Sequence, residues 1–423
     1  MSFNTISVVG LGYIGLPTAA MFASRKKKVI GVDVNQHAID TINRGEIHIV
    51  EPELDMIVHA AVKEGYLKAT LIPEQADAFL IAVPTPFKNI DSQIPEPDLT
   101  YIHKASEAIA PVLKKGDLVI LESTSPVGAT EQMADWLAAA RPDLSFPQHV
   151  GENADVNIAH CPERVLPGHV VRELVENDRV IGGMTANCSA RAVELYKTFV
   201  QGECVITNAR TAEMAKLTEN SCRDVQIAFA NELSIICDKL DINVWELISL
   251  ANRHPRINIL QPGPGVGGHC IAVDPWFIVS KTPDEAQIIH TARKVNDTKP
   301  DWVINKVKLA IADFLQANPA KTAKDVTIAC YGLAFKPDID DLRESPALNI
   351  TKLLGEVHIG TVLAVEPNIK VLPSNIKEFD LVTFELANAN ADIHLLLVDH
   401  LEFKDKRVIS EFVIDTKGIW NVE

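Results

Sequence analysis

The sequence predicts an α/β protein: two Rossmann-like, doubly wound domains joined by a central helical domain with one long helix. Three observations predict it. Short apolar runs alternate with helical stretches over residues 1–200. From Arg210 to about Leu240 a helical pattern runs without Gly or Pro. Apolar strand-like runs return near residue 326. The expected division is 1–200, 201–318 and 319–423.

The first element is the run TISVVG at 5–10, read as a strand. LGYIGLPTAAMFASR follows with apolar residues at helical spacing, then VIGVDV at 29–34 as a second strand. Further runs are AFLIAVP (78–84), DLVILEST (117–124), NIAHCP (157–162) and RVIGGM (179–184). Alternation of this kind predicts a parallel sheet with crossover helices. After the long helix, a second helix is expected over roughly 243–251 and a third from about Asp284 to Ala317, with Lys299-Pro300 as the place where it could break. VTIACYGLAF, TVLAVEP and DIHLLLVDH supply the strands of the second α/β domain.

Composition bounds the function. A chain of 423 residues exceeds what one core usually serves. The net charge of −16 argues against non-specific binding to nucleic acid or anionic lipid. No apolar stretch approaches about 18 residues, so no membrane span is expected. The start, MSFNTISVVGLGYIG, has no basic leader and no cleavage site, so a signal peptide is not expected. Seven cysteines without a CxxC pair suit a reducing cytoplasm and give no zinc-ligand spacing. No metal site is expected.

Gly10-Leu11-Gly12-Tyr13-Ile14-Gly15 matches G-x-G-x-x-G, after a strand and opening a helix. Such a turn brings a pyrophosphate against the backbone at a helix N-terminus. Asp33, ending the second strand, stands where a carboxylate takes ribose hydroxyls and repels a 2′-phosphate. NAD is therefore the expected cofactor. Lys26, Lys27 and Lys28 read as a solvated helix end.

On the long helix Glu213, Lys216, Asn220, Asp224 and Asn231 share one face. Such a stripe is either a solvated face or a buried functional one, and Lys216 and Asn220 make a good donor pair for an oxyanion. Cys270, in GPGVGGHCIAVDP at 263–275, sits on a glycine-rich loop before Asp274-Pro275. A thiol there is a buried filler or a presented nucleophile. The buried, structural reading is applied to Cys161, Cys188, Cys204, Cys222, Cys237 and Cys330.

Six motifs in order carry a resemblance over essentially the whole chain: GLGYIGLP at 10–17, ESTSPVG at 122–128, CPERVLPG at 161–168, AEMAKLTEN at 212–220, GPGVGGHC and DP within 263–275, and GLAFKPDIDDLRESP at 332–346. The sequence resembles the UDP-sugar 6-dehydrogenase family. The resemblance implies four-electron oxidation of a sugar C6 alcohol to the acid with two NAD⁺. Cys270 would form a thiohemiacetal and then a thioester. Lys216 and Asn220 would stabilise oxyanions and touch the substrate. Asp274 would serve proton transfers, Glu163 thioester hydrolysis, and Thr124 the catalytic water. Tyr13, Ile14, Pro84, Thr85, Thr124 and Arg343 would line the cofactor, together with Gly10, Gly12, Gly15 and Asp33. Arg164, Gly267 and Lys336 would bind the UDP-sugar. Arg256, with Arg253 as the competing position, would reach the sugar of a neighbouring subunit, which implies a homodimer. His269 and Val273 stand where glucose-specific members carry Ser and Lys, a pattern that looks like the N-acetylated-sugar branch. Pro167 replaces a carboxylate found in some relatives and is given no role. Three other readings stay open: a member of that branch acting on UDP-N-acetylglucosamine, since no residue pattern decides the configuration at C2; a two-electron NAD enzyme in which Cys270 is structural; and a nucleotide-sugar sensor that releases no NADH.

Overall fold

A computed structural model describes residues 3–49, 51–88, 93–165, 168–268, 270–408 and 410–420. His269 and Pro167, singled out above, lie outside the described residues. The chain divides into two compact units, residues 1–219 with 276–281, and residues 220–275 with 282–423.

The first unit is built on an eight-stranded sheet. Its strands are β1 (Thr5–Val9), β2 (Lys28–Val32), β3 (Leu67–Thr70), β4 (Ala78–Ile81), β5 (Leu118–Leu121), β6 (Asn157–His160), β7 (Arg179–Gly183) and β8 (Cys204–Asn208). They run in the order β3-β2-β1-β4-β5-β6-β7-β8. The first six in that order follow the doubly wound 3-2-1-4-5-6 pattern. β4, β5 and β6 are buried along their whole length, because helices cover both faces. One face packs Leu16, Phe22, Val58, Tyr196 and Phe199, and the other packs Ile102, Met133, Leu137 and Phe146.

The sheet corrects the expectation of a wholly parallel arrangement. β7 lies antiparallel to β6, with Ala159 opposite Gly183, and β8 then follows β7 in parallel. β7 is an apolar, largely buried run like the parallel strands β4, β5 and β6, so the reversal was invisible in the sequence. β3 and β8 also went unforeseen. Lys68 is exposed in β3, and Val205 and Ile206 are exposed in β8, so neither strand reads as a continuous buried run.

The second unit carries an all-parallel sheet in the order β11-β10-β9-β12-β13. Its strands are β9 (Thr327–Tyr331), β10 (Thr361–Val365), β11 (Asp380–Leu381), β12 (Ile393–Leu396) and β13 (Val413–Asp415). The edge strands β11 and β13 are too short to read from periodicity.

Seven helices matter for the site: α1 (Gly15–Ser24), α2 (Ala129–Ala140), α3 (Ala209–Lys239), α4 (Val244–Ala251), α5 (Asp274–Lys281), α6 (Gln287–Ala317) and α7 (Pro346–Val357). The division into units falls within α3, after Glu219. α6 runs unbroken through Pro300, so no break occurs at Lys299-Pro300. Val303, Val307 and Phe314 in its second half pack into one core with Ile328, Ile350, Leu354 and Leu395. That burial outweighs the backbone hydrogen bond lost at the proline.

Candidate active site

In the first unit the glycine turn links β1 to α1. Gly10 N donates to Val32 O at 2.8 Å, and Gly10 has φ +93°. A Cβ on Gly15 would stand 1.7 Å from Gly10 O, whereas one on Gly12 would meet nothing within 4 Å. The turn is therefore packed from below and open above, the shape a pyrophosphate needs. Asp33, half-buried at the end of β2, accepts Leu11 N at 2.7 Å and Asn35 N at 2.9 Å. Tyr13 is exposed, and Ile14 precedes α1. Pro84 and Thr85 follow β4, and Thr85 Oγ1 is buried with no hydrogen-bond partner. An open glycine cradle, a carboxylate and an orphaned hydroxyl on one sheet fit a dinucleotide.

Thr124 follows β5 and is half-buried. Nearby lies a cluster that sequence reasoning only half found. Glu163, after β6, accepts Arg179 Nη1 at 2.8 Å and Arg164 N at 2.6 Å. Arg179 lies over the Tyr196 ring at 5.0 Å, and Tyr196 Oη donates to Glu122 Oε1 at 2.6 Å. Glu122 Oε2 has no partner. Burial pushes the Glu122 carboxyl up to about 7, and Glu163 adds to the rise, while Arg179 and the Tyr196 hydroxyl oppose it. Cys161 in the same cluster is pushed up to about 12 by burial. Glu122 is the first residue of the ESTSPVG motif, but a lone Glu at the end of an apolar run gave no signal of its partners. Arg164 pairs with Glu219 at 2.6 Å.

The polar stripe on α3 is neither a solvated face nor a single site. Glu213 is buried and accepts Gly128 N, Thr130 N and Thr130 Oγ1 at 2.6–2.8 Å, which ties down the start of α2. Lys216 is half-buried in the first unit. Asn220 follows one turn later, in the second unit. Asp224 is fully buried against Arg293 Nη1 at 2.7 Å and Asn296 Nδ2 at 2.8 Å. Asn231 accepts Gly263 N at 2.9 Å and donates to Asn296, so it holds the start of the glycine loop.

In the second unit, Asn220 Nδ2 donates to Asp274 Oδ2. Asp274 is buried, and its N–H donates to Cys270 O at 2.9 Å. Cys270 thus opens a tight turn into α5 and is exposed, as a presented thiol must be. Cys161, Cys188, Cys237 and Cys330 are buried, in keeping with the structural reading. Cys204 is half-buried. Cys222 is exposed, which corrects that reading for it, because its place on α3 faces away from the packed stripe.

Gly267 sits against the loop 332–345, where a Cβ would meet Glu344 O at 2.5 Å and Pro346 Cδ at 2.7 Å. Lys336 on that loop is exposed. Arg343 forks onto Asp341 at 2.6–3.1 Å. Arg253 and Arg256 are both exposed after α4, and nothing in their geometry separates them.

Comparison with known proteins places the whole chain. Residues 4–200 match the NAD binding domain of the UDP-glucose/GDP-mannose dehydrogenase family, 210–298 its central domain and 329–422 its UDP binding domain. The chain is 67% identical over 426 residues to UDP-N-acetyl-D-mannosamine dehydrogenase of Yersinia pestis, covering 99% of this chain and 100% of that one. It is 63% identical to NDP-N-acetyl-D-galactosaminuronic acid dehydrogenase of Ralstonia nicotianae, covering 100% of this chain and 98% of the relative. Among solved structures, the UDP-D-ManNAc dehydrogenase of Pyrococcus horikoshii superposes with a TM-score of 0.86 at 37% identity, covering 99% of this chain and 96% of that one.

Proposed function

The chain belongs to the UDP-glucose/GDP-mannose dehydrogenase family and is an NAD-dependent oxidoreductase, and from that premise we propose that it oxidises C6 of UDP-N-acetyl-D-mannosamine to the uronate. The observation that carries this substrate is the 67% identity, over the full length of both chains, to the Yersinia pestis enzyme of that name. The product would feed polysaccharide synthesis of the enterobacterial common antigen type.

Two NAD⁺, bound one after the other at the glycine turn, would each supply the acceptor for one hydride. The chain's residues do the rest. The Cys270 thiolate adds to the C6 aldehyde, and the hemithioacetal carbon is then oxidised to a thioester. Cys270 holds the aldehyde while cofactor is exchanged. Lys216 and Asn220 donate hydrogen bonds to oxygen as negative charge builds on it. Asp274, held by Asn220, takes the proton of the C6 hydroxyl through a water. Glu163 then activates water for thioester hydrolysis, with Thr124 holding that water. Lys336, Arg164 and Gly267 bind the UDP-sugar, and Arg343 lies along the cofactor. Arg256 completes the sugar site of a neighbouring subunit.

The division 1–200, 201–318 and 319–423 remains our proposal for the domains. A homodimer is supported by the exposed apolar residues Phe229, Ile236, Leu240, Ile242, Leu250 and Ile257 on and after α3. Light scattering should give twice the chain mass, and a monomer would refute it. A cytoplasmic site of action is supported by the odd count of seven cysteines without a CxxC pair.

The 63% identity to the galactosaminuronate-named relative makes the N-acetylgalactosamine nucleotide, which differs from the mannosamine one at C2 and C4, the second reading. The test is NADH yield per substrate for UDP-N-acetylmannosamine, UDP-N-acetylglucosamine, UDP-N-acetylgalactosamine and UDP-glucose. Two NADH from the first, with little turnover of the others, is expected. One NADH per sugar would sink the four-electron mechanism, and a preference for another sugar would sink the substrate. Cys270→Ala should lose acid formation by at least about a thousandfold.

A further inference from the structure

The turn that opens the first sheet recurs in the second. Gly10 N donates to Val32 O at 2.8 Å, and Leu11 N to Asp33 Oδ2 at 2.7 Å. Gly332 N donates to Val365 O at 2.8 Å, and Leu333 N to Glu366 Oε2 at 2.7 Å. Gly332 has φ +92°, beside +93° at Gly10. A strand, a left-handed glycine and an acid ending the next strand therefore occur twice. By position Glu366 is the acid that would hold a ribose.

It cannot do so, because its oxygens are already engaged. The Glu366 side chain is 0% exposed. Oε2 accepts Leu333 N, Ala334 N at 3.1 Å and His400 Nε2 at 3.1 Å. Oε1 accepts Asn368 N at 3.1 Å and Asn368 Nδ2 at 3.4 Å. Burial alone would raise its pKa, but the bonds from His400 and Leu333 pull the carboxyl below the usual range. An ionised, buried carboxylate with this many donors acts as an anchor for backbone.

His400 extends the anchor. It is 0% exposed, and its Nδ1 accepts Asp338 N at 2.9 Å, so Nε2 carries the proton given to Glu366. Asp338 has φ +63°, a conformation an L-residue keeps only when its surroundings hold it. Its Oδ1 accepts Leu401 N at 2.9 Å. At the far end of the loop Ser345 Oγ donates to Leu333 O at 2.7 Å. Between the held positions, Lys336 and Pro337 are exposed. Phe335, next to Lys336, backs the glycine loop of Cys270: a Cβ on Gly267 would stand 3.1 Å from Phe335 Cβ.

We propose that Glu366 and His400 are positioning residues for UDP-sugar binding, holding the loop 332–345 so that Lys336 is preset for the substrate. The proposal rests on the reading of Lys336 as a substrate ligand. A preset cation spares the ordering of its loop on binding, so loss of the anchor should appear in KM rather than kcat.

The test uses the full-length enzyme, saturating NAD⁺ and the sugar nucleotide that yields NADH. Lys336→Ala probes the underlying reading and should raise KM for the sugar nucleotide. His400→Gln keeps an amide donor toward Glu366 and removes the acceptor of Asp338 N. It should raise that KM by about tenfold, with kcat and NAD⁺ affinity within about twofold. His400→Asn restores an acceptor near Nδ1 and should recover most of the loss, which a merely unfolded loop would not do. The double variant Lys336→Ala/His400→Gln should bind no worse than Lys336→Ala alone, since both remove one interaction. An unchanged KM in Lys336→Ala overturns the reading of Lys336 and this proposal with it. A raised KM in Lys336→Ala, with His400→Gln unaffected or the two effects multiplying, overturns this proposal alone.

Discussion

Replacing Glu122 by Gln should make the protein more stable above neutral pH and leave it nearly unchanged in acid. The carboxyl is 1% exposed, and burial lifts its pKa from 4.5 to about 7. The sign follows from proton counting. Between about 4.5 and about 7 the folded chain holds a proton that the unfolded chain has released. Stability therefore falls as pH rises through that window and levels off above it. A shift of that size is worth on the order of 3 kcal/mol. Gln keeps an amide oxygen for the Tyr196 hydroxyl and has nothing to ionise. The difference in unfolding free energy between Glu122→Gln and wild type should be small and flat below pH about 4.5. It should grow to a plateau above pH about 7. Urea unfolding followed by Tyr196-sensitive near-UV signal, repeated across pH, measures it. Infrared difference spectra of the protonated carboxyl should lose one band through the same window. A constant difference at all pH values would refute the reasoning, because it would show that Glu122 titrates alike in the folded and the unfolded chain.

Three further outcomes are expected. Gly15→Ala should abolish NAD⁺ binding in a fluorescence titration, since a Cβ would stand 1.7 Å from Gly10 O; binding within about threefold of wild type would show that the turn can relax. Asp224→Ala should destabilise by about 1–3 kcal/mol, because Arg293 keeps its pair with Asp297 but loses its buried partner and Asn296 loses its acceptor, and Asp224→Ala/Arg293→Met should recover part of it; equal losses in both would show that packing rather than charge is at stake. Lys299, buried against Ser234 and Trp302, has its pKa lowered from 10.5 to about 7 by burial, so the unfolded chain binds the extra proton between those values and wild-type stability rises with pH there. Lys299→Met should accordingly be more stable than wild type at neutral pH and below, with the gap closing toward pH about 10.5; a gap independent of pH would count against a strained cation.

Much of the site was readable because its chemistry demands particular residues at particular spacings. A dinucleotide turn needs Gly10, Gly12, Gly15 and a following acid, and all stand within one short span. A presented thiol needs a loop like the one before Cys270, and the structure leaves that cysteine exposed. Pairings across long separations were not readable. Nothing about Glu122 in sequence points to Tyr196, and nothing about Glu366 points to His400 or to the backbone of Leu333. Cys222 was misread because burial depends on which side of α3 the rest of the fold covers.

By itself the sequence determined the alternation of strand and helix, the length of α3 and the nucleotide turn. These are local matters of periodicity, steric freedom and backbone hydrogen bonding. Tertiary structure alone decided the reversal of β7, the passage of α6 through Pro300, and the split of the α3 stripe into separate buried networks. Those outcomes depend on which distant surfaces meet. Burial makes each polar group find a partner wherever the fold supplies one, and no local rule of spacing encodes that choice.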